Sequence, residues 1–207
     1  MKLIIGDKNV SSWFMRSWLV LKHFGIPFEE VMIRLARSDS PANILAHSPS
    51  GKVPCLVTDA GDAVWESVAI MHGALAELFP QHAMWPRDAA ARAHARSISV
   101  EMHAGFADLR EQMSMNIQPQ AFGLELTAGA LANVKRIDLI WHNCLDAHGG
   151  PFLFGKEFGI ADAMFAPVVM RFNSYAPKLS ETALAYAARV TALPEVAEWI
   201  EGARNER

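Results

Sequence analysis

The chain of 207 residues divides into a first part where strand and helix signals alternate and a second part with helical periodicity only. Over residues 1–80, short apolar runs and amphipathic stretches are separated by serine caps, glycines and prolines, which predicts the order β-α-β-α-β-β-α. From residue 88 onward, apolar residues recur at spacings of three and four and strand signals are absent. The sequence therefore predicts an α/β domain followed by an all-α domain.

The boundary between these parts falls in a segment with two prolines, Pro80 and Pro86, and no helical stripe. We expect a linker over 81–87, an N-terminal domain over 1–80 and a helical domain over 88–207. In the second part, Asp88 is placed to cap a long helix that runs to about Met113. Further helices are predicted over 124–147, 160–175, 181–191 and 195–203.

Composition excludes several classes of function. Lys and Arg together number 19 against 22 Asp and Glu, a net charge of −3, so the basic field that a nucleic-acid binder needs is missing. Apolar residues make up 51% of the chain and charged residues 20%, which is typical of a globular protein rather than a disordered one. We expect no nucleic-acid partner.

The cysteines and histidines give no sign of a metal or disulfide framework. Two cysteines, Cys55 and Cys144, stand far apart without a CxxC pair, and the eight histidines show no HExxH or paired metal spacing. The N-terminus lacks a signal-peptide core, and no apolar run approaches the 18 or so residues that a membrane helix needs. We therefore expect no metal, no membrane contact and a cytoplasmic protein.

Three short motifs in the first 67 residues could carry chemistry. The first is Ser11-Ser12, in the turn between the first strand and the first helix. A hydroxyl at that point can donate to a ligand thiolate, and the helix N-terminus adds a favourable potential. The same pair can instead act only as a helix cap.

The second motif is Ser50-Gly51-Lys52-Val53-Pro54, with a proline at the mouth of the third strand. If the Val53–Pro54 bond is cis, the Val53 N–H and C=O face outward and an extended peptide can pair with them. An ordinary trans proline at a strand start is the alternative.

The third motif, Glu66-Ser67, joins a strand end to a helix start. A hydroxyl and backbone N–H groups at that point suit a carboxylate ligand, or they simply cap the helix.

Together these motifs resemble the thioredoxin-like domain of the glutathione transferase family, and the resemblance extends to the end of the chain. The matching C-terminal segments are Gly155…Gly159-Ile160-Ala161-Asp162 and Leu193-Pro194-Glu195…Trp199. The Ser-Ser turn is most similar to bacterial and zeta-like members of serine type. The resemblance implies a thioredoxin-like N-terminal domain, an all-α C-terminal domain and glutathione as co-substrate.

The resemblance also implies a role for each motif residue. Ser11, with Ser12 as the fallback, would hydrogen-bond the thiolate, and Val53 would pair with the cysteinyl backbone of glutathione across cis-Pro54. Glu66 would face the γ-glutamyl amino group. The remaining assignments are Ser67 for the γ-glutamyl carboxylate, Lys52 and a loop arginine (Arg34 or Arg37) for the glycyl carboxylate, and Asp162 for a buried cap in the helical domain.

The motif departs from the zeta-like pattern Ser-Ser-Cys-Ser, because Trp13 and Phe14 replace its last two residues. These two side chains, with Met102 and Phe106, are expected to line an apolar co-substrate pocket, although a helical stripe of this kind is also typical of a core. Gly159 stands where the family's capping box has Ser or Thr, a tolerable replacement.

The function that follows is a glutathione transferase, which attacks an apolar small-molecule electrophile with a serine-stabilised thiolate. Two alternatives stay open: a glutathione-dependent cis-trans isomerase of the maleylacetoacetate type, and a non-catalytic carrier or docking module.

Family members are usually two-fold dimers, so a homodimer is expected. Its contact surfaces would be the helix over 66–79 and the long helix over 88–113, which carries Arg92, His94, Arg96 and Ser99 off its apolar stripe.

Overall fold

The computed structural model of the protein describes residues 1–118 and 123–206, and its first part is built around a four-stranded mixed sheet. The strands are β1 (Lys2–Ile5), β2 (Glu29–Met32), β3 (Cys55–Val57) and β4 (Ala63–Trp65). Their spatial order is β2-β1-β3-β4: β1 pairs in parallel with β2 and antiparallel with β3, and β3 forms a hairpin with β4.

Three helical runs accompany the sheet: two lie between its strands in the sequence and the third follows β4. The first two are α1 (Ser12–His23) and α2 (Ser40–Leu45). The third begins at Ser67 and comprises α3 (Ser67–Ala69), a π-helical turn (Ile70–Leu75) and α4 (Ala76–Leu78). The predicted order of strands and helices is confirmed, and so is the α/β class of this part.

The second part is helical. Its helices are α5 (Ala89–Ala104), α6 (Ala107–Gln112), α7 (Ala128–His148), α8 (Ile160–Tyr175), α9 (Glu181–Thr191) and α10 (Pro194–Asn205). Residues 79–88 contain neither helix nor strand, and the linker bounds over 81–87 stay a prediction. Among the described residues, no helix is both long and apolar enough to cross a membrane.

The single helix predicted from Asp88 to Met113 is wrong, because the chain breaks after Ala104. Phe106 adopts a left-handed conformation, with φ of 62°, and α6 starts beyond it. A side chain at Gly105 would come within 2.8 Å of the Glu101 carbonyl oxygen, so glycine is required there. The freed carbonyl groups at the end of α5 accept hydrogen bonds from the Arg110 guanidinium. Ser99, expected on the polar side of this helix, is buried and donates to the Ala95 carbonyl.

The two parts share one hydrophobic core, which contains α1. Phe14 and Trp18 of α1 pack against Trp199 of α10, with ring centroids 5.5 and 5.1 Å apart. Arg171 and its neighbours on α8 cover another side of α1, where the whole apolar helix is buried from Ile160 to Phe172. Because each large apolar side chain that is removed from water contributes about 1.5–3 kcal/mol, the packing of α1 joins the sheet firmly to the helical part.

Asp162 is the buried cap that the resemblance implied. Its carboxylate accepts hydrogen bonds from the backbone N–H groups of Leu153 and Gly159 and from the Tyr186 hydroxyl. The N-cap residue Gly159 has no side chain to cap α8. The Asp162 carboxylate organises this helix start together with the Met84 carbonyl, which accepts a hydrogen bond from the Ile160 N–H. Burial outweighs these hydrogen bonds and raises the pKa of Asp162 to about 6.

This raised pKa predicts a pH-dependent stability. A carboxyl group with a higher pKa in the folded state contributes stability below its unfolded pKa near 4, and that contribution is lost as the pH rises through 6. Between pH 4 and 7 the loss is about 3 kcal/mol, since one pKa unit is about 1.4 kcal/mol. Asp162→Asn cannot titrate, so its deficit in unfolding free energy, measured by urea denaturation with tryptophan fluorescence, should be larger at pH 4 than at pH 7. A deficit that does not vary with pH would contradict this account.

Candidate functional site

A cavity of about 430 Å³ lies between the two parts of the chain. The α/β part contributes five of its lining residues and α5 of the helical part contributes one. They are Trp13, Lys52, Val53, Pro54, Glu66 and His103. Five of these six residues were predicted from the sequence as site residues, and the fold brings them together from three separate segments.

Val53 and Pro54 lie just before β3, which starts at Cys55 and not at Val53 as predicted. The Val53–Pro54 peptide bond is cis. Neither the N–H nor the C=O of Val53 has a hydrogen-bond partner in residues 1–118 and 123–206. Both groups are thus free to pair with an extended ligand in the cavity, while the exposed Lys52 places an ammonium group beside them.

Glu66 and Ser67 stand where β4 gives way to α3. Glu66 has a φ of 69°, a left-handed conformation that a residue with a side chain rarely adopts, and its carboxylate is half-exposed at the cavity. Ser67 is fully buried, and its hydroxyl has no hydrogen-bond partner among the described residues. A buried hydroxyl of this kind costs free energy until a ligand or water satisfies it.

The two serines of the first turn have different surroundings. Ser11 is the N-cap residue of α1 and is half-buried, but its side chain makes no capping hydrogen bond. Ser12 is buried and accepts a long hydrogen bond of 3.4 Å from Nη2 of Arg171 on α8. Neither serine is a lining residue of the cavity, which they adjoin through Trp13. The Ser11 hydroxyl is therefore more available to a ligand than the Ser12 hydroxyl, which already has a hydrogen-bond partner in the protein.

Three arginines gather behind this turn. Arg16 lies on α1, Arg110 on α6 and Arg171 on α8, and the guanidinium carbons of Arg16 and Arg110 lie 4.8 and 4.6 Å from the centre of the Trp13 ring. Burial lowers the pKa of all three groups, and repulsion from the neighbouring guanidinium groups lowers the pKa of Arg16 and Arg171 further. The pKa of Arg171 falls to about 10.

His103 completes the cavity from the helical side. Its ring meets Trp13 edge-on at 5.4 Å, and its Nε2 lies 3.9 Å from a carboxylate oxygen of Glu66. Burial and the nearby Arg16 lower the pKa of His103 more than Glu66 raises it. The imidazole is therefore neutral at pH 7 and can either donate or accept a hydrogen bond.

Three of the residues predicted to line an apolar pocket lie elsewhere. Phe14 and Met102 are fully buried in the core and Phe106 is 8% exposed, so none of them reaches the cavity. Phe14 follows Trp13 on α1 and points into the interior that Trp199 fills, because adjacent residues of a helix face different directions. Trp13 alone of the four predicted residues is a wall of the cavity.

Arg34 does not lie at this cavity either. Its guanidinium donates to Asp7 at 2.8 Å, and it lines a separate cavity of about 300 Å³ with Arg37 and His47. Of the basic residues predicted for the glycyl carboxylate, Lys52 is the one that the fold places with Val53 and Glu66.

The loop that carries Ser11 is anchored from the end of the chain. The Glu206 carboxylate accepts hydrogen bonds from the backbone N–H groups of Lys8 and Asn9, at 2.5 and 3.0 Å. The Asn9 side chain in turn accepts from the N–H groups of Ile117 and Gln118. The position of Ser11 thus depends on contacts more than 100 residues away in the sequence.

Sequence reasoning missed His103 and the three arginines. The signal for Arg171 was available, because it is the lone basic residue in the apolar stretch 160–172. Arg16 follows Ser12 by one helical turn, which places both on the same face of α1. His103 has no spacing to another histidine that would mark it as a metal ligand in the sequence. Among the described residues, no group of three or more His, Cys, Asp or Glu side chains is arranged to hold a metal ion.

Two family models that together cover most of the chain describe the two domains of one family. The family model for the glutathione S-transferase N-terminal domain matches residues 10–74, and the model for the C-terminal domain of the same family matches residues 89–202. A probable maleylacetoacetate isomerase of Caenorhabditis elegans is 27% identical over 84% of this chain and 79% of its own length. Glutathione S-transferase 1 of Dianthus caryophyllus is 28% identical over 82% and 76% of the two chains.

A solved structure is similar over the full length. It is a Burkholderia glutathione transferase homologue with bound glutathione, 25% identical, with a TM-score of 0.75. The match covers 100% of this chain and 98% of the other.

Proposed function

The chain belongs to the glutathione S-transferase family, and from that premise we propose that it binds glutathione in the cavity between its two parts and activates the thiol as a nucleophile. The observation that carries this proposal is that Lys52, the free backbone groups of Val53 and the Glu66 carboxylate meet at one cavity, with the unpartnered Ser67 hydroxyl next to Glu66 in the chain. Together these groups match a γ-glutamyl tripeptide. Glutathione has a carboxylate and an amino group at one end, a peptide backbone in the middle and a second carboxylate at the other end.

Each part of that ligand has a matching group. The buried Ser67 hydroxyl, at the start of the helical run 67–78, suits the γ-glutamyl carboxylate. The Glu66 carboxylate suits the neighbouring amino group. The free backbone groups of Val53 suit the cysteinyl residue, and the exposed Lys52 suits the glycyl carboxylate.

The thiol then lies toward the N-terminus of α1. We assign the stabilisation of its thiolate to the Ser11 hydroxyl, with Ser12 as the alternative, because Ser11 has a free side chain at the N-cap. A charge-assisted hydrogen bond contributes about 1.5–3 kcal/mol and the helix dipole about 0.3–1 kcal/mol, which together lower a thiol pKa by about one to three units.

The reaction that follows is nucleophilic. The thiolate sulfur forms a bond to an electrophilic carbon of the co-substrate, and the bond to the leaving group breaks with its electron pair. Proximity and a prepared nucleophile are the two contributions that the protein makes. Trp13 provides the apolar wall against which the co-substrate packs.

A second candidate is the isomerase, and the arginines favour it. Arg16, Arg110 and Arg171 stand beside Trp13 and Ser12 and would attract an unsaturated acid. In that reaction the thiolate adds to the double bond, the resulting single bond rotates and the thiolate leaves again, so glutathione is regenerated. The relative in Caenorhabditis elegans is named for such an isomerisation. Assays with an aryl halide and with a cis-enone diacid separate the two activities, and glutathione binding without either one would favour the carrier.

We also propose a homodimer and a cytoplasmic location. The helical run 67–78 and α5 are the surfaces expected to meet, since α5 exposes Val100 and Arg96 away from the core. A dimer through these helices would brace Glu66 and Ser67. The reaction needs glutathione in its reduced form, which is abundant in the cytoplasm.

The serine assignment predicts the result of two substitutions. Ser11→Ala removes the hydroxyl that stabilises the thiolate, so turnover of a generic aryl halide should fall by about 10–100-fold, the equivalent of 1.4–2.8 kcal/mol. Glutathione affinity should stay within a few-fold, because the groups that hold its ends are intact. Steady-state kinetics and calorimetric titration measure the two quantities, and unchanged turnover in both Ser11→Ala and Ser12→Ala would refute the assignment.

The dimer proposal makes a separate prediction. Light scattering at micromolar concentration should give about twice the 22.8 kDa mass of one chain. A monomer that still catalyses conjugation would show that association is not needed to brace the site.

A further inference from the structure

The three arginines behind the first turn form a cluster, Arg16, Arg110 and Arg171, that carries charge without a counter-ion. Arg16 is fully buried and Arg171 is 5% exposed. Arg16 and Arg171 both feel the charge of Arg110, so the groups lie within electrostatic reach of one another. Guanidinium groups stay protonated at neutral pH, so the cluster contributes three positive charges to a poorly solvated region.

In the described part of the chain, no carboxylate forms an ion pair with any of these three guanidinium groups. Arg110 donates to the backbone carbonyls of Met102 and Gly105, and Arg171 donates to the carbonyl of Met113. The three guanidinium nitrogens of Arg16 are buried and have no hydrogen-bond partner in residues 1–118 and 123–206. A buried cation without a counter-charge destabilises a fold, which indicates that this chain retains it for another purpose.

The cluster is placed against the turn where the thiol of glutathione would lie. Arg171 reaches the Ser12 hydroxyl, and Arg16 and Arg110 both contact Trp13, which lines the cavity. The other charged or titratable groups that face the cavity are Lys52, Glu66 and His103. Glu66 is the one anion among them, and bound glutathione would pair it with the γ-glutamyl amino group.

We propose that the buried cluster of Arg16, Arg110 and Arg171 holds bound glutathione as its thiolate, by its positive potential, while the serine hydroxyls orient the sulfur. This inference rests on the proposed function. The proton leaves the thiol for solvent, and no bond of the protein changes. The arginines act as positioning and electrostatic residues, since none of them is a lining residue of the cavity.

The size of the effect follows from Coulomb's law. At an effective dielectric constant near 20, two unit charges separated by about 12 Å interact by the equivalent of about one pKa unit. Three charges at that separation would together shift a thiol pKa as much as, or more than, the hydrogen bond from one serine. Burial weakens the screening by salt, so the effect should persist at physiological ionic strength.

Arg16→Met tests the proposal most cleanly. Methionine fills a similar volume and removes a buried charge that lacks a partner, so the variant should unfold at the same urea concentration as the wild type or a higher one. The pKa of the glutathione thiol in the complex, measured from thiolate absorbance near 240 nm against pH, should nevertheless rise by about one unit.

Arg136→Met is the matched control, because it removes the same charge from an exposed ion pair with Glu101, and neither of these residues lines the cavity. It should leave the thiol pKa unchanged. If Arg16→Met fails to fold, Arg171→Gln offers the same readout.

The outcomes separate the two proposals. A wild-type protein that does not bind glutathione overturns the proposed function and the cluster inference with it. Normal glutathione binding with the same thiol pKa in the wild type and Arg16→Met overturns the cluster inference alone. The cluster inference is also overturned if the only defect of Arg16→Met is a weaker affinity for an anionic co-substrate. The cluster would then bind that co-substrate and would not act on the thiol.

Discussion

The burial of α1 between the sheet and the helical part is the constraint on which the rest of the structure depends. Phe14 and Trp18 of this helix pack on Trp199, and its opposite side is closed by α8, so one helix belongs to the cores of both parts. Its N-terminus consequently opens at the junction of the two parts. Any ligand attracted to that N-terminus must bind between them, where the cavity lies.

This arrangement explains why the site draws on distant segments. Val53, Glu66 and the first turn come from the α/β part, whereas His103, Arg110 and Arg171 come from helices that follow it. The α/β part offers groups that match the ends and the backbone of glutathione. The helical part supplies two of the three buried arginines and the remaining wall, so both parts of the chain contribute to the electrostatic environment in which the sulfur would react.

Local signals were sufficient for most of the elements. The bounds of α8 and α9 follow from caps and apolar spacing in their own segments, and the succession of strands and helices along the first part follows from runs such as Leu3–Ile5. The break after Ala104 could not be predicted in this way. It depends on the left-handed Phe106 and on Arg110, which reaches back from the next helix to satisfy the carbonyl groups that the break exposes.

The candidate site shows the same contrast between residues that local sequence motifs reveal and residues whose position depends on tertiary contacts. Val53, Glu66 and Ser67 lie in motifs whose chemistry is visible in the sequence, and the structure places the first two at one cavity with the third beside them. Arg34 was misplaced because its partner, Asp7, is 27 residues away and no local pattern reveals it. Phe14 and Met102 were misplaced because an apolar residue on a helix can face either a core or a cavity, and only tertiary packing decides which.

The decisive measurement is a crystal structure of this protein with bound glutathione. We expect the tripeptide in the cavity between the two parts, with the γ-glutamyl carboxylate on the Ser67 hydroxyl, the cysteinyl backbone paired with Val53, and the sulfur at the N-terminus of α1. Glutathione bound elsewhere, for example in the separate cavity lined by Arg34 and Arg37, with Ser67 and Val53 uncontacted, would contradict it.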